Sequence, residues 1–278
     1  SEGCPCDLGE NWSKEHILEA IRRGNHKSAT NPEESKCMEL EATEKVEAGY
    51  AKIIQWKDIK NCIPPKLKIS PAAMIPHKSR MFRMILDLTF QLRRKNKLLP
   101  SVNSNTTKLA PQKSMAQLGS TIKRIIHIMN KYHHPLHPFV YSKCDLKDGF
   151  WRMVLNAIDA WNFCYLLPHT PTTPLEERRL VVPHALQMGW SESPPLFCAA
   201  TETARDVIQT YASSNINLPP HKLEQFLFNN SNIKNTKDTD KVNLIEVYMD
   251  DFIICTNNNS IENIQHLARS TLHGIHSI

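Results

Sequence analysis

Residues 244–255, which read LIEVYMDDFIIC, decide the fold of the second half of the chain. Two apolar segments, 244–248 and 252–255, are separated only by the three residues Met-Asp-Asp. Segments rich in β-branched and aromatic residues on both sides of a very short polar connection are typical of a β-hairpin. The sequence therefore predicts two buried antiparallel strands with adjacent carboxylates, Asp250 and Asp251, at their turn.

A third carboxylate, Asp145, ends another apolar segment, residues 139–144. Adjacent carboxylates repel one another, and placing them between apolar strands costs free energy unless a cation offsets the charge. Three carboxylates gathered at strand ends form an oxygen-rich site suited to Mg²⁺. Two such ions would activate a 3′-hydroxyl and stabilise a leaving pyrophosphate. The other interpretation is an ordinary acidic hairpin turn, because aspartate favours turns.

Four segments, taken in chain order, resemble the motifs of reverse transcriptases. They are 82–88 (FRMILDL), 145–150 (DLKDGF), 189–194 (GWSESP) and 248–251 (YMDD). A single tetrapeptide is weak evidence, whereas four motifs in family order, spread over residues 66–278, form a specific pattern. The tripeptide SVN that follows the first motif is similar to retrotransposon rather than retroviral enzymes. The resemblance implies an RNA-directed DNA polymerase of a retrotransposon.

The resemblance implies roles for individual residues. The catalytic, metal-binding residues would be Asp145, Asp250 and Asp251. Asp145 and Asp250 would be the principal ligands of two Mg²⁺ or Mn²⁺ ions. The substrate-binding residues would be Lys78, Arg80, Arg83, Phe150, Met188, Gly189 and Tyr248. Arg83 would bind the incoming triphosphate, which a planar guanidinium suits well. Phe150 would crowd a 2′-hydroxyl and favour deoxynucleotides. The alternative for Phe150 is a core aromatic, and for Lys78 and Arg80 a solvated turn.

The chain departs from the family pattern at three places. Met188 stands where the family often has glutamine or phenylalanine, so it would contact the nucleotide apolarly or belong to the core. The segment between the third and fourth motifs is long, and we expect a flexible insertion at residues 213–243. Only about 27 residues follow Asp251, which leaves no room for a thumb or an RNase H domain. We therefore expect a fingers–palm region without a thumb.

The expected organisation follows from these motifs and from composition. The 278 residues carry 34 Lys and Arg against 28 Asp and Glu, a net charge of +6 that fits a nucleic-acid partner without proving one. We expect a helical N-terminal extension, 1–64, and a reverse transcriptase fingers and palm, 65–278. The fold class would be α+β, with an antiparallel palm sheet backed by helices.

The implied partners are an RNA or DNA template with a primer, deoxynucleoside triphosphates, and a longer polyprotein with RNase H. No apolar run approaches the roughly 18 residues of a membrane span, so we expect no membrane association and an intracellular, cytoplasmic or nuclear location. A catalytically inert or domesticated nucleic-acid-binding fragment is the alternative function. A metal-dependent nuclease is a third, although it explains neither Phe150 nor the third motif.

Hydrophobic periodicity predicts the remaining elements. We expect a hairpin from strands 68–75 and 82–87 and helices at 193–211 and from Ser260 onward. A single helix is predicted over 112–132, with Ile122 and Ile125 on its apolar face. Segments 152–155 and 162–167 are predicted to be a strand pair.

Overall fold

The computed structural model describes residues 2–78, 81–94, 97–135, 137–214, 216–223 and 242–278 of the protein. The helices in these ranges are α1 (Lys14–Arg23), α2 (Pro32–Glu47), α3 (Trp56–Ile59), α4 (Lys113–Leu118), α5 (Thr121–Lys131), α6 (Ser193–Ser213) and α7 (Ile261–Ile275). The strands are β1 (Ala51–Gln55), β2 (Ala72–Pro76), β3 (Phe82–Leu86), β4 (Leu92–Arg94), β5 (Lys97–Leu99), β6 (Val140–Asp145), β7 (Tyr165–Leu166), β8 (Arg179–Pro183), β9 (Asn243–Tyr248) and β10 (Asp251–Thr256). All the strand pairs are antiparallel, which confirms the α+β class. None of the helices in the described ranges is long and apolar enough to cross a membrane.

The chain divides into two compact units, each formed from two separate stretches of sequence. The first unit comprises Ser1–Ala110 and Asp148–Ser193, and the second comprises Pro111–Lys147 and Pro194–Ile278. The two units meet at residues 110/111, 147/148 and 193/194. The boundary expected near residue 64 is not among these places and stays a prediction about domain organisation. The predicted insertion at 213–243 stays a prediction too, since residues 224–241 lie outside the described ranges.

The first unit is built on the three-stranded sheet β1–β8–β7 and the hairpin of β2 and β3. The hairpin confirms the one expected there, although its first strand begins at Ala72 rather than at residue 68. The N-terminal helices are part of this unit. The Ser13 hydroxyl accepts a hydrogen bond from the His16 amide at the start of α1, an ordinary N-cap. On the inner side of α1, Ile17 and Ile21 are fully buried.

The second unit is built on the three-stranded sheet β6–β10–β9. One face of this sheet packs against α6 and α7 through a continuous apolar cluster, whose members are Ala204, Ile208, Ala212, Ile245, Val247, Phe252, Ile254 and Leu267. The two helices approach closely at Gly274. A Cβ atom there would lie 2.3 Å from Cγ1 of Ile208 and 3.2 Å from its Cα, so only glycine fits without movement of α6. The predicted helices at 193–211 and after Ser260 are confirmed.

Two predicted elements are wrong. The helix predicted over 112–132 is two helices, because Gly119 and Ser120 interrupt it between α4 and α5. Ile122 is 58% exposed, whereas Ile125 is buried, so the apolar face of α5 is narrower than the periodicity indicated. The strand pair 152–155 with 162–167 does not form. Tyr165 and Leu166 of the second segment do form a strand, β7, but it pairs with β8. Val154 and Leu155 of the first segment make single bridges to Ala185 and Cys4.

A buried ion pair joins α5 to the edge strand β9 of the second unit. Arg124 Nε lies 2.7 Å from Glu246 Oε1, and a second guanidinium nitrogen bonds the other carboxylate oxygen. The Glu246 side chain is only 2% exposed. Hydrogen bonding to this carboxylate raises the pKa of Arg124. Such a pair is costly to break, because the remaining charge is left buried without a partner.

We expect Arg124→Met to lower the free energy of unfolding by about 3 to 5 kcal/mol, because Glu246 loses its partner. Urea denaturation of the whole chain measures this change. The double variant Arg124→Met with Glu246→Met should recover most of the loss, since no charge then remains buried. A loss below about 1 kcal/mol in the single variant would show that the pair behaves as a surface ion pair.

Candidate metal centre

The register of the second unit's sheet places two of the predicted carboxylates side by side. Asp251 on β10 is directly opposite Asp145 on β6 and opposite Tyr248 on β9. Directly opposed residues of antiparallel strands project from the same face of a sheet. The predicted hairpin is therefore confirmed, and Asp145, Asp251 and Tyr248 form one row across its end.

The opposite face of the same strands is apolar. Phe252 pairs with Val247, and Ile254 pairs with Ile245. All four belong to the cluster packed against α6 and α7. A slip of one residue would turn the carboxylates into this cluster, so the burial of one face fixes the register that brings the acids together.

The hairpin turn is a tight connection of two residues, Met249 and Asp250. Met249 has φ 59°, a left-handed conformation that costs a non-glycine residue about 1 kcal/mol or more. Its sulfur lies 3.4 Å from the sulfur of Cys198 on α6. The Asp250 carbonyl accepts a hydrogen bond of 3.0 Å from the Leu146 amide. The turn is thus held against both α6 and the residue that follows Asp145.

One oxygen from each of Asp145, Asp250 and Asp251 lies within 4.8 Å of the other two. Among the residues that the structure describes, this is the group of acidic, histidine or cysteine side chains placed to hold a metal ion. Asp145 is exposed and the other two are half-buried. Desolvation, followed by the charges of Asp250 and Asp251, raises the pKa of Asp145 above its ordinary value. Three oxygen donors that repel one another fit a hard divalent cation.

A lysine that sequence reasoning missed lies beside this carboxylate cluster. Lys143 Nζ is 2.7 Å from Asp251 Oδ1, and this close contact with the Asp251 carboxylate raises the pKa of the lysine. The two-residue spacing between Lys143 and Asp145 is the sequence signal that could have identified this lysine. Side chains two residues apart on a strand share a face, so Lys143 and Asp145 flank Asp251 from the same strand.

The residues expected to bind the nucleotide lie mainly in the first unit. The Arg83 guanidinium on β3 contacts the sulfur of Met188, so the structure brings these two predicted residues together. Met188 is 51% exposed, which contradicts the alternative that it belongs to the core. Gly189 follows with φ +99°, and a Cβ atom there would lie 3.3 Å from the Leu86 carbonyl. The backbone of this loop therefore passes close to β3.

Asn103 holds the same loop from the other side. Its Nδ2 donates to the Gly189 carbonyl at 2.8 Å, and its Oδ1 accepts from the Ser191 amide at 3.0 Å. Trp190 Nε1 donates to the Thr106 hydroxyl at 3.0 Å. Both partners come from the segment that begins at Ser101.

Phe150 lies in a short 3-10 helix of the first unit, Gly149–Arg152, and is half-buried. Asp148 precedes this helix in a left-handed conformation with φ 59°. The nearly buried ammonium of Lys45 holds the Asp148 carboxylate at 2.7 Å and lies 5.1 Å from the Trp151 ring centroid. Lys45 is a second residue that sequence reasoning missed, and no local pattern links it to a partner 103 residues away.

Three further residues were expected to bind substrate: Tyr248, Lys78 and Arg80. Tyr248 is 48% exposed at the end of β9. Lys78 is exposed beyond the end of β2, as expected for a basic turn. Arg80 lies outside the described residues. The structure thus groups the three aspartates in the second unit and Arg83, Met188 and Gly189 in the first.

Comparison with known proteins adds no family assignment. No protein-family model matches the chain, and no curated protein matches it significantly. The functional interpretation therefore depends on the motifs and on the geometry of the site.

We expect Asp145→Asn to raise the melting temperature of the metal-free chain at pH 7 by about one or two degrees, because repulsion among exposed carboxylates is weak but unfavourable. A raised folded-state pKa means that the contribution of Asp145 to stability is present at low pH and is lost as pH rises through that pKa. Asp145→Asn cannot ionise at this position, so it does not lose this stability as pH rises. Melting in the presence of a chelator measures the difference.

Added Mg²⁺ should raise the melting temperature of the unaltered chain more than that of Asp145→Asn, because bound cation stabilises the folded state. Asp206→Asn is the matched control, since Asp206 is 69% exposed on α6 and lies outside the cluster. An equal response to Mg²⁺ in all three proteins would contradict a metal site at Asp145.

Proposed function

We propose that the chain is the catalytic fingers–palm region of a retrotransposon-type reverse transcriptase, which adds deoxynucleotides to a primer 3′-hydroxyl on an RNA or DNA template. The observation that carries the proposal is the carboxylate cluster. Asp145 and Asp251 oppose each other in the sheet, Asp250 lies in the adjoining turn, and all three occupy the motif positions of that family. We further propose that the chain belongs to a polyprotein with RNase H.

Asp145 and Asp250 would be the principal ligands of two Mg²⁺ or Mn²⁺ ions, with Asp251 as a further ligand. Bound Mg²⁺ would lower the pKa of the primer hydroxyl and neutralise charge on the triphosphate. In the reaction the 3′-oxygen forms a bond to the α-phosphorus of the nucleotide. The bond from that phosphorus to its bridging oxygen breaks, pyrophosphate leaves, and the hydroxyl proton passes to solvent. The carboxylates would position the reacting groups through the bound ions. Positioning and electrostatic stabilisation account for most of the rate enhancement in phosphoryl transfer.

Residues of the motifs outside the carboxylate cluster would supply nucleotide contacts. The guanidinium of Arg83 suits a triphosphate, because it is permanently charged and planar. The exposed side chain of Met188, which already contacts Arg83, would pack against the nucleotide. The left-handed backbone at Gly189 allows close approach of a ligand to the main chain. Phe150 would exclude the 2′-hydroxyl of a ribonucleotide, while Lys78, Arg80 and Tyr248 would assist in binding substrate.

We expect Asp250→Asn to reduce primer extension by about 10³-fold or more, because one principal metal ligand loses its charge and several kcal/mol of transition-state stabilisation go with it. The assay follows incorporation of labelled deoxynucleotide on a primed RNA template with Mg²⁺. Asp206→Asn should retain full activity. Full extension by Asp250→Asn would contradict the proposal. Binding of the primer–template by the unaltered chain without extension would instead favour the inert nucleic-acid-binding fragment.

We expect Phe150→Ala to reduce the preference for deoxynucleotides over ribonucleotides by about tenfold or more, because a missing ring opens space for the 2′-hydroxyl. The ratio of kcat/KM values for the two nucleotides measures this preference. Phe150→Tyr should keep the preference, since the ring remains. An unchanged ratio in Phe150→Ala would indicate that the ring only packs in the core.

A further inference from the structure

The ion pair of Lys143 with Asp251 has a consequence for how the carboxylate cluster takes up a metal ion. In the sheet register, Lys143 is opposite Ile253 and Asp145 is opposite Asp251. Lys143 and Asp145 therefore project from the same face as Asp251, and the lysine on β6 reaches diagonally across to Asp251 Oδ1 on β10 at 2.7 Å. The ammonium is thus one of the groups that surround the carboxylate oxygens.

The negative charge of the three aspartates explains why the Lys143 ammonium lies beside them. Three carboxylates within 4.8 Å carry a charge of about −3 when ionised, and their repulsion opposes folding of the hairpin. The Lys143 ammonium offsets one of these charges. Its side chain is 60% exposed, so it can leave Asp251 for solvent without a large penalty, because exposed ion pairs are weak.

A divalent cation bound by the cluster takes one oxygen from each carboxylate, including Asp251. Asp251 cannot keep a close ion pair with Lys143 through Oδ1 while that oxygen ligates a metal. A positive charge beside the site also repels the incoming cation. Metal binding therefore competes with the ion pair of Lys143 and Asp251.

We propose that Lys143 is the built-in counter-ion of the carboxylate cluster: it holds Asp251 in place in the metal-free chain and competes with the divalent cation for that carboxylate. Lys143 is in this sense a positioning residue that sets the metal affinity. This inference rests on the proposed metal-binding function of Asp145, Asp250 and Asp251.

The test compares Mn²⁺ binding by the whole chain and its variants, measured from the electron paramagnetic resonance signal of free Mn²⁺. We expect Lys143→Met to bind Mn²⁺ about two- to fivefold more tightly, as removal of a weak, exposed competing charge allows. The metal-free form of Lys143→Met should melt at a lower temperature than the unaltered chain, because the carboxylate repulsion is no longer offset. Lys143→Arg should match the unaltered chain in both measurements, since it keeps the charge.

Lys123→Met is the control for net charge, because Lys123 is exposed on α5 and lies away from β6 in sequence. It should leave Mn²⁺ affinity unchanged. Equal or weaker Mn²⁺ binding by Lys143→Met would overturn the proposal while leaving the metal site intact. Failure of the unaltered chain to bind Mn²⁺ at millimolar concentration would instead overturn the metal site, and with it the proposed function.

Discussion

Repulsion among three carboxylates, imposed by the pairing of β6, β10 and β9, is the constraint on which the site depends. The apolar face of these strands is buried against α6 and α7, so the strands cannot shift by one residue without burying charge. The opposite face must then carry Asp145 and Asp251 side by side. The same packing that stabilises the sheet thus creates a site that is unfavourable until a cation offsets its charge.

Several local features follow from this arrangement. The left-handed Met249 lies at the turn itself, where strain is typical of functional sites. The Lys143 ammonium offsets part of the negative charge of the three aspartates. In the first unit, the loop that contains Met188 and Gly189 is held by a different device. Asn103 bonds the backbone on both sides of Trp190, and Gly189 lets the loop approach β3.

Sequence reasoning predicted the parts of this arrangement that depend on local pattern. The hairpin and the strand that ends at Asp145 were visible, because apolar segments bounded by polar residues specify strands. The strand pair at 152–155 and 162–167 was wrong, since β7 pairs with β8 instead and local pattern does not specify which strand is the partner. Lys143 was accessible from its spacing to Asp145. The pairs Arg124–Glu246 and Lys45–Asp148 were not, because more than 100 residues separate their members and only tertiary packing joins them.

The most direct test of the account is a crystal structure of the chain with Mn²⁺ and a primer–template, using anomalous scattering to locate manganese. We expect anomalous peaks within coordination distance of the carboxylate oxygens of Asp145 and Asp250, with Lys143 displaced from Asp251. Manganese bound only elsewhere, or Asp145, Asp250 and Asp251 without a peak while Lys143 still pairs with Asp251, would contradict it.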